Sequence, residues 1–257
     1  MQGRNALNIL EADGPAISET SSLGLIYETI SLSTSAWRHP ASRLFPAVQR
    51  AFSFQYTVVK RALDIILSSA LIFLCLPVGL LIALAVVLTS PGPVFFRQER
   101  LGRFGKPFRI IKFRSMYTRH HRDNVLEISG AHRHHHAPYP LAKEQPDPRI
   151  TPVGRIIRRL SIDELPQLFN VFVGDMSLVG PRPIVEAERT FYGQDFAYYD
   201  LFCPGITGLW QVSGRSDVNF DRRVQYDRMY ATQWSVLMDF KILTWTIPAV
   251  LSMRGAY

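Results

Sequence analysis

Two adjacent carboxylates, Asp163 and Glu164, follow a cluster of cations, Arg155, Arg158 and Arg159, within the stretch Arg158-Arg-Leu-Ser-Ile-Asp-Glu-Leu-Pro-Gln167. Acid beside base in this way suits phosphate chemistry. An aspartate with an ordinary pKa near 3.9 is ionised at neutral pH, so it can attack phosphorus without a general base. What it needs is cations, because like charges about 4 Å apart repel by around 4 kcal/mol at an effective dielectric near 20. Downstream, Leu165, Leu168, Phe169 and Phe172 recur at helical spacing, which puts the acidic pair at or near a helix N-terminus. Ordered amide donors and the positive end of the helix dipole gather there. A plainer reading stands beside this one: Ser161 and Glu164, three apart, make a capping box. It accounts for those two residues but leaves Asp163 and the arginines unexplained. Pro166 fits better if the helix begins one or two residues later than that cap implies.

Further cations lie at a distance in the chain. Lys112 and Arg114 are two apart in a predicted strand, so they would project on one face and could hold a diphosphate. Arg182 sits in Gly180-Pro-Arg-Pro183, a loop stiffened by prolines, where a positioned guanidinium can grip phosphate oxygens in pairs. An incidental surface arginine is the competing view of that loop. A second glycine-punctuated stretch, Cys203 to Arg215, is weak evidence alone. His132, His134, His135 and His136 cluster in a polar insertion over residues 117–148. No Cys, Asp or Glu accompanies them at ligand spacing, so they are not assigned to a metal.

These residues must be carried by elements the rest of the chain predicts. The 257 residues are 47% apolar, enough for one sizeable domain with appendages, and the net charge of +8 points to a polyanionic partner. Two cysteines, Cys75 and Cys203, exclude a disulfide framework and fit a reducing compartment. Residues 1–50 are rich in Ser, Thr, Ala and Gly without a sustained period and read as a disordered extension, with an amphipathic lead-in near Arg43 to Phe54. No apolar core follows a basic start, so no signal peptide is expected.

Residues 51–90 read as a membrane anchor. Ile65 to Leu88 is a run of 24 residues without a charge, roughly 36 Å as a straight helix and therefore long enough to span a bilayer. Basic residues flank it on both sides, Lys60 and Arg61 before, Arg97, Arg100, Arg103 and Lys106 after, and basic flanks favour the cytoplasmic face. With Pro77 near the midpoint, a re-entrant hairpin bent at the proline is favoured over a single span. Asp64 is expected to pair with Lys60 or Arg61.

Residues 91–257 read as the catalytic domain. Two short runs, Val94 to Leu101 and Phe108 to Met116, flank a Gly-Arg-Phe-Gly-Lys turn and predict a β-hairpin with seven Arg or Lys between Val94 and Ser115. Arg155 to Leu160 and Asp221 to Tyr230 are helical, and Trp234 to Leu251 is an amphipathic stretch expected at headgroup level, with a soluble core helix as the other reading. The fold class is α+β, mainly helical: a re-entrant helix-hairpin anchor, then a small α/β domain with a β-hairpin and interfacial helices.

Five ordered blocks between residues 58 and 257 carry a resemblance: Lys112-Phe-Arg114-Ser-Met116, Arg158 to Gln167, Gly180 to Pro183, Pro204 to Gly208 with Gln211 to Arg215, and Ser235 to Leu243. Together they resemble the bacterial sugar transferases, the monotopic polyprenyl-phosphate phosphoglycosyl transferases, and most of all the exopolysaccharide-priming type. The resemblance implies transfer of a sugar 1-phosphate from a UDP-sugar to polyprenyl (undecaprenyl) phosphate, with UMP released and Mg2+ as cofactor. UDP-galactose and UDP-glucose are the expected donors. It implies Asp163 as nucleophile, through a covalent phosphosugar intermediate, and Glu164 as magnesium ligand. Arg158, Arg182 and Arg215 would grip phosphate, and Lys112, Arg114, Asp239 and Gln211 match other site positions. It further implies attachment to the cytoplasmic face of the bacterial inner membrane, and it leaves a homodimer open.

Cys203 departs from the pattern, since a basic residue usually stands there, and the histidine-bearing insertion has no counterpart. The rival reading from another class is a non-enzymatic membrane-anchored basic module that recruits acidic partners. Nucleic acid is not among the expected partners, because no aromatic-basic platform or groove-reading motif is present.

Overall fold

The computed structural model describes residues 41–118, 147, 149–213 and 219–251. The histidines of the insertion, Arg215 and residues 1–40 fall outside that range. Helix α1 (Ala41–Ala51) turns Leu44, Ala47, Val48 and Ala51 inward at helical spacing. It packs against the later helix Phe220–Gln233, and the Tyr198 hydroxyl donates to the Arg43 carbonyl at 3.1 Å. The extension expected over residues 1–50 thus gives way to packed helix at Ala41, because those four apolar residues share one face.

A π-helical turn (Gln55–Lys60) leads into α2 (Arg61–Thr89), 29 residues long. The element is continuous across Pro77, where a proline removes one backbone hydrogen bond and bends a helix without having to end it. Most of its apolar side chains face outward, Phe73 at 82% and Leu74 at 72% exposure, and only 6% of its most apolar window is buried. A core helix of a soluble protein would show the reverse. Among the described residues this is the helix long and apolar enough to cross a membrane.

Both ends of α2 are held by the same globular portion. At the start, Lys60 donates to the Val179 carbonyl and to Asp239. Asp64 accepts from Ser177 and the Leu178 amide. The pairing expected between Asp64 and its neighbours is therefore replaced: Lys60 turns to Asp239, and Arg61 donates to the Val171 and Phe172 carbonyls. At the far end Arg114 donates to the carbonyls of Pro91 and Ser90, and Val86 packs with Phe113 and Ile157.

Strands β1 (Phe95–Leu101) and β2 (Pro107–Phe113) form the expected antiparallel hairpin, with Phe96 opposite Lys112, Gln98 opposite Ile110 and Arg100 opposite Phe108. Directly opposed residues share a face, so Lys112 and Arg100 lie on one side, while Arg97, Glu99, Arg109 and Ile111 lie on the other. Next come α3 (Pro152–Arg159), a 3-10 turn (Ile162–Glu164) and α4 (Gln167–Val173). Thr151 caps α3 by accepting from the Gly154 amide at 2.8 Å, and Pro152 takes the first turn, where its missing N–H costs nothing.

The Asn170 side chain of α4 closes the outer edge of β2, accepting from the Ile111 amide at 3.0 Å and donating to the Arg109 carbonyl at 2.8 Å. Strands β3 (Ser177–Val179) and β4 (Gly205–Thr207) pair in parallel. A Cβ on Gly180 would lie 2.2 Å from the Cys203 carbonyl oxygen, so glycine is what lets the two glycine-punctuated stretches meet backbone to backbone. Helices α5 (Glu186–Tyr192), α6 (Phe196–Asp200), α7 (Leu209–Ser213), α8 (Phe220–Gln233) and α9 (Val236–Leu251) complete the domain. Leu101, Ile184, Tyr192, Phe196, Tyr199 and Val224 form one core cluster that ties the hairpin to α5, α6 and α8.

Candidate active site

The acidic pair occupies the 3-10 turn between α3 and α4, and α4 begins at Gln167 with Pro166 as its N-cap. The helix starts further on than the one or two residues that Pro166 favoured, because a separate 3-10 turn takes up Ile162 to Glu164. The capping box is not formed: Ser161 is left-handed at φ 55° and its side chain makes no cap bond. A non-glycine residue held there stores strain, on the order of 1 kcal/mol or more. That strain sits two residues from Asp163. The turn is fixed from below by Ile162 and Leu165, which pack on Val86, Phe113 and Ile157 and so tie the acids to the anchor helix. Burying each of those three side chains contributes roughly 1.5–3 kcal/mol.

Lys112 donates to Glu164 Oε1 at 2.6 Å, and both side chains are partly buried. Burial first, and then the neighbouring Glu164 charge, push Asp163 up to about 6, against the pull of Lys112 and Arg158. The expectation of an ordinary aspartate is corrected accordingly. Asp163 remains mainly ionised at pH 7, and its raised basicity makes it a better nucleophile. Lys112, Arg158, Asp163 and Glu164 thus form one group. Lys112 bonds Oε1 of Glu164, and two adjacent carboxylates match the protein's part in the way Mg2+ is bound, by one or two carboxylates plus phosphate oxygens. The donor set fits that ion.

Arg182 belongs to a second group. Its guanidinium lies 5.3 Å from the Trp210 ring centroid, and that of Arg223 lies 5.5 Å from the same ring. Arg100 joins them, donating to the Pro183 carbonyl at 3.2 Å, and its pKa is lowered by burial and then by Arg182. Glu188 approaches Arg100 at 3.9 Å and Arg223 at 3.7 Å. Asp227, buried and accepting from the Tyr192 hydroxyl at 2.7 Å, is pushed up to about 7 by desolvation. Three guanidiniums therefore face two carboxylates, one of them easily protonated, which leaves excess positive charge. Gln211 stands nearby in sequence on α7, its amide nitrogen donating to the Ile206 carbonyl at 3.4 Å while its carbonyl oxygen is buried without a partner. Arg100, Arg223 and Trp210 were not singled out as site residues from sequence. Arg223 carries a usable signal, because it recurs four residues before Asp227 on the buried side of α8.

Two expected site residues make their bonds within the protein. Arg114 is engaged by the carbonyls that end α2, while its own amide still donates across the hairpin to the Val94 carbonyl at 2.8 Å. Lys112 and Arg114 consequently do not act as a pair. Asp239 accepts from Lys60 at 2.5 Å, Tyr230 at 2.9 Å and Trp234 at 3.1 Å, a buried carboxylate with its acceptor sites filled. Cys203, the departure noted above, donates its amide to the Tyr56 hydroxyl at 2.8 Å. Arg215 lies outside the described residues.

Comparison with known proteins agrees with the blocks carrying these residues. The family model "Bacterial sugar transferase" matches residues 55–253. The chain is 42% identical over 205 residues to the exopolysaccharide production protein ExoY of Rhizobium meliloti, covering 78% of this chain and 88% of that protein. It is 44% identical to the UDP-galactose-lipid carrier transferase of Erwinia amylovora over 77% of this chain and 42% of that protein. It is 41% identical to the UDP-glucose:undecaprenyl-phosphate glucose-1-phosphate transferase of Escherichia coli over 78% of this chain, again spanning 42% of the relative. An acid pair held against a lysine, on a chain matched almost from its anchor helix to its last helix, means that this protein is a transferase and belongs to the bacterial sugar transferase family.

Proposed function

We propose that this chain transfers a sugar 1-phosphate from a UDP-sugar to undecaprenyl phosphate. The observation that carries the reading is the Asp163–Glu164 turn with Lys112 bonded to Glu164 and Arg158 acting on Asp163. In the first step an Asp163 carboxylate oxygen attacks the phosphorus that bears the sugar, the bond to the bridging oxygen breaks, and UMP leaves. In the second an oxygen of undecaprenyl phosphate attacks the same phosphorus, and Asp163 departs as carboxylate. Lys112 holds Glu164 in place, and with Arg158 it offsets the negative charge that would otherwise repel the diphosphate. Glu164 would be among the residues holding Mg2+, which would supply Lewis-acid stabilisation of the diphosphate.

The shared hairpin face supports placing the rest of the donor along it. Lys112 pairs with Phe96 and Arg100 with Phe108, so the two cations lie four residues apart, about 13 Å along the strand. That length suits an extended nucleotide sugar, with its uridylyl end toward Arg100, Arg182 and Trp210. UDP-galactose and UDP-glucose are the proposed donors, the sugars in the names of the Erwinia and Escherichia relatives.

The anchor is proposed to be re-entrant at a cytoplasmic membrane face. Support comes from the contacts at both ends of α2 with one globular portion. The test is incubation with labelled UDP-sugars in the absence of acceptor. Label on the protein that is chased by undecaprenyl phosphate and absent in Asp163→Asn supports the two-step reading. An active Asp163→Ala enzyme overturns it, and transfer only from a ternary complex indicates direct displacement.

A further inference from the structure

The hairpin face turned away from the acid pair carries a second basic site. Arg97 lies opposite Ile111 in register, and Arg109 is its diagonal neighbour about 7 Å away. Both side chains are exposed, and among the described residues no acid pairs with either. Glu99 stands opposite Arg109 but makes no ion pair with it. Between this face and α4 lies a groove of about 200 Å³, walled by Arg97, Arg109 and Ile111 on one side and by Phe169 and Val173 on the other. Asp175 also lines it, which leaves two guanidiniums against one carboxylate in the walls.

The groove has a fixed depth relative to the anchor. Arg61 donates to the Val171 and Phe172 carbonyls at 2.6 and 2.7 Å, pinning the end of α4. Arg61 precedes Ile65, where the charge-free run begins, by four residues, about 6 Å of helix. If α2 lies in a bilayer, this pin holds the groove at the headgroup level. Its lip is apolar in the direction of the acyl chains, with Phe169 half exposed and Val173 at 66%.

We propose that this groove seats the phosphodiester of an anionic phospholipid, with Arg97 and Arg109 on the phosphate and Phe169 and Val173 against the acyl chains. The inference rests on the membrane reading given above. The net charge of the walls suits a monoanionic phosphodiester rather than the doubly charged phosphate of a nucleotide sugar or a polyprenyl acceptor, which the cations of the opposite face serve. Lipid bound here would fix the tilt of the hairpin at the bilayer surface without touching the reacting atoms.

The test uses the full chain in neutral detergent micelles, with thermal unfolding followed on addition of phosphatidylglycerol, phosphatidylcholine or soluble glycerophosphoglycerol. Phosphatidylglycerol at about 100 times its Kd is expected to raise the Tm by several degrees over phosphatidylcholine. Arg97→Gln/Arg109→Gln should lose most of that shift while keeping the wild-type Tm in phosphatidylcholine, and Asp175→Asn should enlarge it. An equal phosphatidylglycerol shift in the double variant overturns the proposal. So does a shift reproduced by glycerophosphoglycerol alone, which would mean a free-anion site, or one matched by phosphatidylcholine. Flotation with neutral vesicles separates the two levels: a protein that floats but shows no lipid-specific shift overturns the groove alone, and one that fails to float overturns the membrane reading and the groove with it.

Discussion

Asp163→Asn should make the protein more stable while abolishing sugar-phosphate transfer. Burial and the Glu164 charge raise Asp163 from 3.8 to about 6. At pH 8 the carboxylate is ionised in both folded and unfolded chains, so the folded state bears the full cost of the charged form. Two pKa steps correspond to about 3 kcal/mol, and solvent access to the half-buried group reduces this to about 1–2 kcal/mol. Because the folded pKa is raised, the cost is present above it and fades as pH falls from about 6 toward 3.8, where the unfolded carboxylate also protonates. The amide carries no charge at any pH. The variant should therefore unfold about 3–6 °C above wild type at pH 8, and the margin should shrink by about half at pH 5. The assay is thermal unfolding of both proteins in the same neutral micelles at the two pH values. A variant less stable than wild type at pH 8, or a margin independent of pH, refutes the placement of Asp163 as a buried charge facing Glu164. The same pKa predicts an acid limb near pH 6 in the kcat/KM profile of the free enzyme.

Lys112→Met removes the cation that bonds Glu164 and lowers Asp163, so kcat/KM should fall by about 100-fold or more and the acid limb should move to higher pH; a steady-state pH profile reads both. Ser161→Gly should raise stability by about 1 kcal/mol by relieving the left-handed conformation, whereas a capping serine would give a loss of similar size, so the sign of the change in Tm decides. Asp239→Ala leaves Lys60 buried and unpaired and should cost about 3–5 kcal/mol, lowering folded yield and Tm while turnover per folded molecule holds; undiminished Tm with lost turnover would return Asp239 to the substrate site.

Much of the site was legible because its defining part is local in sequence. Asp163, Glu164 and the helix that follows are set within a dozen residues, and Gly102 and Gly105 mark the hairpin turn. Side chains whose partners come from far along the chain were harder. Arg114 and Lys112 look alike as letters, but one bonds carbonyls at Ser90 and Pro91 and the other bonds Glu164. Asp239 gives no sign in the sequence that Lys60, 179 positions away in the chain, bonds it. A sequence displays charge, whereas function depends on which charges are left unsatisfied after folding. Arg100, Arg223 and Trp210 were missed beside Arg182 for that reason, since four distant segments must meet before the cluster's excess charge exists.

The hairpin is the element that sorts these charges, and its register is what the sorting depends on. Side chains alternate across a strand, so a one-residue slip of β2 would turn Lys112 away from Glu164 and bring Arg109 and Ile111 to the donor face. Two features resist that slip. Asn170 bonds both the Ile111 amide and the Arg109 carbonyl and so holds β2 against α4. Phe113 stacks on Phe95 with ring centroids 5.5 Å apart and packs on Val86 of the anchor helix. The contact that seats the hairpin against the apolar helix therefore also decides which cations face Glu164 and which face α4. The seating of the hairpin on α2 and the placement of Lys112 beside Glu164 thus depend on one set of contacts, and a variant that weakens the first should shift the second.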